Sequence, residues 1–225
     1  MIDFNEGRTI AIDKPLTWTS FQVVKKLRYL TKAKKVGHAG TLDPLATGLL
    51  IICTGKHTKQ IAEHQGQMKE YTGTFKLGAI TPSYDLETEE TDHKPIDHIT
   101  TEAIEQAKKV FIGEIQQKPP IFSAVKLKGE RAYEKARRGE EVEIKAKTVL
   151  VEEFELTRVE LPEVDFRIRC GKGTYIRSLA RDLGKELGCG AHLTALRRTK
   201  IGEISVDDAH TVEQFEAMIK ALKQA

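Results

Sequence analysis

The sequence predicts an α+β fold in which a mixed, mainly antiparallel central sheet is flanked by helices. Two patterns carry that expectation: alternating apolar segments outnumber helical ones, and they fall in hairpin-like pairs more often than in strand–helix–strand order. A third observation is scale. The chain has 225 residues, 40% hydrophobic and 31% charged, which suits a substantial core and argues against a disordered tail protein.

Taken in order, 8–13 reads as a short strand ending at Lys14-Pro15, after which Thr19 or Ser20 caps a helix to about 30. Phe21, Val24, Leu27 and Leu30 form its apolar stripe. The stretch 36–48 is crowded with Gly, Ala, Thr and Pro and reads as a shaped loop; a buried strand follows at 49–54, then a short helix from about His57. Tyr71, Gly73, Phe75 and Leu77 alternate as a half-buried strand, and an acidic loop covers 85–97. A helix over 101–111 ends at Gly113. Pro119-Pro120 opens a basic insertion with a strand at 122–127 and a helix near 131–138. Val142, Ile144 and Ala146 alternate, as do Phe166, Ile168 and Cys170, so both read as strands. A helix capped by Thr174 runs over 174–187 to Gly188, and Thr211 with Gln214 forms a capping box for a last helix bearing Val212, Phe215, Met218 and Leu222.

Several classes of protein are disfavoured. The longest purely apolar run, Leu49 to Cys53, is far short of a membrane span of ~18 residues, and the start has neither the basic nor the apolar region of a signal peptide. Cys53, Cys170 and Cys189 contain no close pair, which argues against a disulfide framework or a cysteine zinc site and favours a reducing, cytoplasmic location. A phosphate-loop reading of Gly55-Lys56 fails, because Leu50 and His57 stand where a glycine and a hydroxyl residue are needed. The formal net charge of +3 hides a segmented pattern: residues 1–70 carry 11 basic and 6 acidic side chains, and 116–150 carry 9 and 5. Two basic blocks in a nearly neutral chain fit a local polyanion footprint, or a solvated lysine-rich surface.

Three stretches offer chemistry. Gly37-His38-Ala39-Gly40-Thr41-Leu42-Asp43-Pro44-Leu45-Ala46-Thr47-Gly48 holds a single carboxylate in a tight loop, with Pro44 fixing the chain after it. Such an acid serves as nucleophile, general base or metal ligand, or else bonds to its own backbone as a turn residue; no second ligand lies at metal spacing. In Arg169-Cys170-Gly171-Lys172-Gly173-Thr174-Tyr175-Ile176-Arg177, a glycine turn leads into a helix whose first turn carries Arg177. The macrodipole disfavours a cation there, so either an anion faces Arg177 or the side chain faces solvent. Tyr71, in Lys69-Glu70-Tyr71, is either a packing residue or an aromatic that stacks on a base.

Together with Asp13-Lys14-Pro15, Thr81-Pro82-Ser83-Tyr84-Asp85, the run from Pro119 to Lys126 and the run from Leu187 to His192, these motifs resemble the bacterial TruB family of tRNA pseudouridine synthases over nearly the whole chain. The resemblance implies isomerisation of uridine 55 in the tRNA T loop to pseudouridine, with no cofactor and no metal. It implies Asp43 as nucleophile, Arg177 against the Asp43 carboxylate and Tyr71 stacked on the target base. His38 would fill space left by flipped nucleotides, Asp85 would contact the nucleotide or its network, and Lys14 and Tyr175 would support the pocket. In a departure from many members of that family, the chain is expected to be a single catalytic domain over 1–225, without their separate C-terminal RNA-binding domain. Within it, the insertion at about 116–150 would be a mobile thumb that grips RNA through residues including Lys126 and Arg131. The expected partner is the tRNA T stem-loop, with no membrane, no obligate protein partner and a monomeric state. The rival readings are a non-catalytic tRNA-binding or folding module and a pseudouridine synthase for another RNA site.

Overall fold

The computed structural model describes residues 3–123, 126–127, 130–131, 138 and 144–224. In chain order these form β1 (Arg8–Lys14), α1 (Ser20–Thr31), β2 (Val36–Ala39), β3 (Ala46–Thr54), α2 (Ile61–Gly66), β4 (Lys69–Leu77) and α3 (Thr101–Lys108). Then come β5 (Gly113–Gln117), β6 (Lys126–Leu127), β7 (Glu130–Arg131), β8 (Lys147–Glu160), β9 (Glu163–Cys170), α4 (Ile176–Glu186), β10 (Ala191–Ile201), β11 (Ile204–Ser205), β12 (His210–Thr211) and α5 (Val212–Gln224). The expected class holds: a mixed, mostly antiparallel sheet flanked by helices.

The chain divides into two compact units, residues 1–72 with 196–225, and residues 73–195; β4 and β10 each contribute to both. In the first unit β3 is the spine. It pairs antiparallel with β1 (Ile12↔Leu50) and β2 (His38↔Ile52), and parallel with β10 (Arg198↔Gly48). Both faces of β3 are covered. Leu50 and Ile52 pack with Ile10, Ile12, Val24 and Leu27 and with Phe215 of α5, while Leu49, Ile51 and Cys53 pack with Ile201 and Val206. Double burial explains why this strand reads as an unbroken apolar run rather than an alternation.

Helix α1 starts as expected at Thr19, whose Oγ1 accepts from Gln22 N at 3.1 Å while Gln22 Oε1 accepts from Thr19 N at 2.7 Å. Its buried face differs from the expected stripe. Val23, Val24, Leu27 and Leu30 are inside, whereas Phe21 is 71% exposed, because the helix turns its 20/23/27/30 edge to the core. The capping box of α5 is also present, between Thr211 and Gln214, but Ile219 and not Leu222 completes its buried stripe.

In the second unit β8 and β9 form a long antiparallel hairpin, with β5 on the far edge of β8. Phe75 stacks on Phe166 at 4.2 Å between ring centres, and Phe154 meets both edge-on. Strand β8 was not visible as an alternation. Its register shifts between Val151 and Glu153, so the buried set passes from Val149 and Val151 to Phe154 and the period-2 pattern changes phase.

Other sequence expectations need correction. The loop 36–48 is narrower than expected, since Val36–Ala39 and Ala46–Thr54 are strands and the irregular turn spans only 40–45. The helix after Thr101 ends at Lys108 and continues as a 3-10 turn. Ile144 is buried, but 144–146 form no strand; Val142 lies outside the described residues, as does most of the 131–138 helix. Arg131 ends a two-residue strand paired with Lys126.

Candidate active site

Several backbone groups around Asp43 are held by hydrogen bonds. Gly40 O accepts from Arg198 Nη2 at 3.1 Å, and Leu42 both accepts from and donates to Ser20 Oγ, at 3.1 and 2.9 Å. Asp43 O accepts from Ala46 N at 3.1 Å, which closes the turn. Pro44 O accepts from Thr17 N at 2.9 Å and from Lys14 Nζ at 3.3 Å. Thr17 makes that bond from φ 69°, a left-handed conformation that is costly for a β-branched residue and clusters at functional loops. Gly48 is required beside the turn: at φ 100°, a Cβ there would stand 2.3 Å from Arg198 O. The result is a half-buried carboxylate on a backbone with little freedom to move.

Two buried cations lie under this turn. Lys14 is fully buried, and its ammonium donates to the carbonyls of Pro15, Trp18 and Pro44. Burial pushes its pKa down to about 8, against the pull of the Asp43 charge, and the nearby Arg198 lowers it further. Arg198 is 1% exposed. His38, on β2 just ahead of the turn, is held below the ordinary imidazole value first by burial and then by Arg198, so it is neutral at pH 7. Arg197, the neighbour of Arg198, pairs with Asp13 at 2.7 Å. Tyr71 is half-buried on β4, next to Glu70, whose Oε1 accepts from Thr199 Oγ1 at 2.8 Å.

The second unit presents a different constellation around Arg177. The helix N-cap is Tyr175, not Thr174; Thr174 Oγ1 instead donates to Gly171 O at 3.1 Å, and Gln117 fixes Tyr175 by bonding both its N–H and its carbonyl. Arg177 therefore lies in the first turn, as expected, and is buried. Its Nη1 donates to Ser83 O at 3.1 Å, its Nη2 to Phe122 O at 2.9 Å, and its Nε lies 3.6 Å from Asp85 Oδ2. Asp85 is itself buried and accepts from Glu87 N at 2.9 Å. The anion demanded by a cation in a first helical turn is supplied here by a residue the sequence placed only as a nucleotide contact.

Asp43, Lys14 and His38 thus gather on one unit with Tyr71, and Arg177, Asp85 and Tyr175 on the other; Lys126 and Arg131 lie on the β6–β7 hairpin. Sequence reasoning missed Arg198 and the Asp13–Arg197 pair. The signal was present, as two arginines in a segment that continues into Thr199-Lys200-Ile201, where β-branched residues alternate with a lysine. Among the described residues no group of three or more His, Cys, Asp or Glu could hold a metal ion.

Residues 28–176 match a family described as TruB family pseudouridylate synthase (N terminal domain), and 177–225 match the tRNA pseudouridylate synthase B C-terminal domain. The chain is 57% identical to a tRNA pseudouridine synthase B of Flavobacterium johnsoniae, over 97% of this chain and 98% of that protein. It is 55% identical to a protein of the same name from Phocaeicola vulgatus, over 95% and 94%. Among solved structures, it superposes on a Cbf5-Nop10-Gar1 complex with TM-score 0.75 and 30% identity, covering 99% of this chain and 57% of that one. On an H/ACA RNP bound to a substrate RNA containing 2'-deoxyuridine the values are 0.74, 27%, 99% and 56%. The sheet and its helices are those of the pseudouridine synthase catalytic fold, a class of RNA-modifying isomerase. With matches that run from residue 28 to the last, the chain belongs to the TruB family of pseudouridylate synthases.

Proposed function

We propose that the protein converts uridine 55 of the tRNA T loop to pseudouridine, with Asp43 as the nucleophile. The observation that carries this reading is the pinned turn: a single half-buried carboxylate whose flanking carbonyls at Gly40, Asp43 and Pro44 are each held by a donor. The reaction breaks the N1–C1′ glycosidic bond, turns the uracil and closes a C5–C1′ bond; the C5 proton is lost and N1 regains one. It is redox-neutral and needs no cofactor. What it needs is an oriented acid and a pocket that retains the detached base.

In this reading Arg177 faces the Asp43 carboxylate during catalysis and keeps it ionised, and the buried pairing of Arg177 with Asp85 fixes the guanidinium for that task. Tyr71 stacks on the base and is the candidate for removing the C5 proton. Neutral His38 takes the space of the everted nucleotide, and Lys14 and Tyr175 hold the backbone around the pocket. Extruding the uridine costs a few kcal/mol, and phosphate contacts from basic residues, Lys126 and Arg131 among them, offset it. The substrate is the T stem-loop. The protein acts as a cytoplasmic monomer, and its three buried cysteine thiols suit a reducing compartment.

The test is tritium release from tRNA labelled at uridine C5, with the modified position mapped afterwards. Release by wild type and none by Asp43→Asn supports the reading. Equal release by both removes Asp43 from the chemistry. Binding of tRNA without release by wild type makes the protein an RNA-binding module.

A further inference from the structure

We propose that Arg198 is a positioning residue for this reaction: its buried guanidinium bridges the two ends of the Asp43 turn and holds the carboxylate in register with the substrate base. The inference rests on Asp43 being the nucleophile.

Among the described residues Arg198 and Lys14 are the largest fully buried side chains, and Arg198 has no carboxylate within ion-pair distance. Burying a guanidinium without a counter-charge is strongly unfavourable unless its donors are well satisfied. Its donors go to two carbonyls. Nε reaches Leu49 O at 2.7 Å and Nη2 reaches Gly40 O at 3.1 Å, one acceptor on each side of the turn that carries Asp43.

The backbone of Arg198 is locked as well. It pairs with Gly48 in the parallel ladder between β10 and β3, and the contact is so close that only glycine fits opposite. The planar fork therefore projects from a fixed origin in the sheet and spans a fixed interval of the turn. A lysine ammonium in the same place is a point donor on a flexible stem and cannot span both carbonyls.

A second property separates this clamp from a neutral one. The charge of Arg198 is felt at both Lys14, on β1, and His38, on β2. An asparagine or glutamine clamp would satisfy the carbonyls without that field. The guanidinium thus supplies orientation and a positive potential beneath the acid.

Steady-state and single-turnover kinetics on tRNA, with tRNA affinity measured in parallel, test the proposal in Arg198→Lys and Arg198→Met beside Asp43→Asn. A displacement of the acid by about 1 Å costs on the order of a hundredfold in rate. Arg198→Lys, which keeps the charge but loses the bridge, is expected to lower kcat by about tenfold to a hundredfold with KM and Kd within about threefold. Arg198→Met, which loses both, is expected to fall further. Should Arg198→Met fail to fold, Arg198→Lys with an unchanged melting temperature decides alone. Full kcat in Arg198→Lys, or a loss confined to KM and Kd, overturns the proposal while Asp43→Asn remains inactive. Activity in Asp43→Asn overturns the nucleophile reading instead.

Discussion

The Asp43 turn and the start of α4 solve opposite problems with the same chemical parts. At the turn, cations from elsewhere hold backbone carbonyls so that a carboxylate is presented; Lys14 grips Pro44 O and Arg198 grips Gly40 O. At α4, carbonyls and a carboxylate hold a cation, with Ser83 O, Phe122 O and Asp85 converging on Arg177. In the first case the clamp acts on the backbone around the functional group, and in the second the functional group is itself the clamped object. An acid that must attack needs a rigid base and an open tip, while a guanidinium that must orient another charge needs its own plane fixed.

The largest effect that sharpens this contrast is chemical. Asp43→Asn is expected to lower single-turnover pseudouridine formation by at least about a thousandfold, with tRNA affinity within about threefold, because the amide keeps the shape and loses the nucleophile. Next is Asp85→Ala, which removes the buried carboxylate 3.6 Å from the Arg177 guanidinium; urea denaturation is expected to show a loss of about 3–5 kcal/mol. If Asp85→Ala is as stable as wild type, the α4 constellation is not a clamp of the kind described.

The turn has a pH signature of its own. Lys14 titrates at about 8 in the folded chain against 10.5 for a free lysine, so between those values the unfolded chain holds the extra proton. The contribution of Lys14 to stability therefore rises as pH goes from 8 to 10.5, and Lys14→Met is expected to lose that slope in denaturation curves taken at both ends of the window. Smaller still is Ser20→Ala, which removes both hydrogen bonds to Leu42 and is expected to cost about 1–2 kcal/mol. Phe21→Ala, at an exposed position, is expected to change stability by no more than about 0.5 kcal/mol.

Much of this was legible in the chain, and the exceptions have physical causes. The Asp43 turn announced itself through Gly40, Pro44 and Gly48, residues whose backbone constraints are written in their covalent structure. The caps of α1 and α5 were equally plain, since Thr19 with Gln22 and Thr211 with Gln214 are local partners. Strand β8 hid behind its bulge. Strand β10 hid behind charge: Arg197 and Arg198 carry no local mark of their surroundings, yet one meets Asp13 and the other lies in the core. Their partners are 150 or more positions away in sequence for several of these bonds, such as Arg197 with Thr47 and Asp13. A buried cation bound to carbonyls leaves no trace in composition, because every residue offers a carbonyl.

The thiols of Cys53, Cys170 and Cys189 are each no more than 1% exposed, the first at the end of β3 and the other two in the second unit. A chromogenic sulfhydryl reagent should therefore react with the native chain only as fast as its strands open. Labelling of Cys53 clocks the opening of the half that carries Asp43, and labelling of Cys170 and Cys189 clocks the half that carries Arg177, from wild-type protein in one time course.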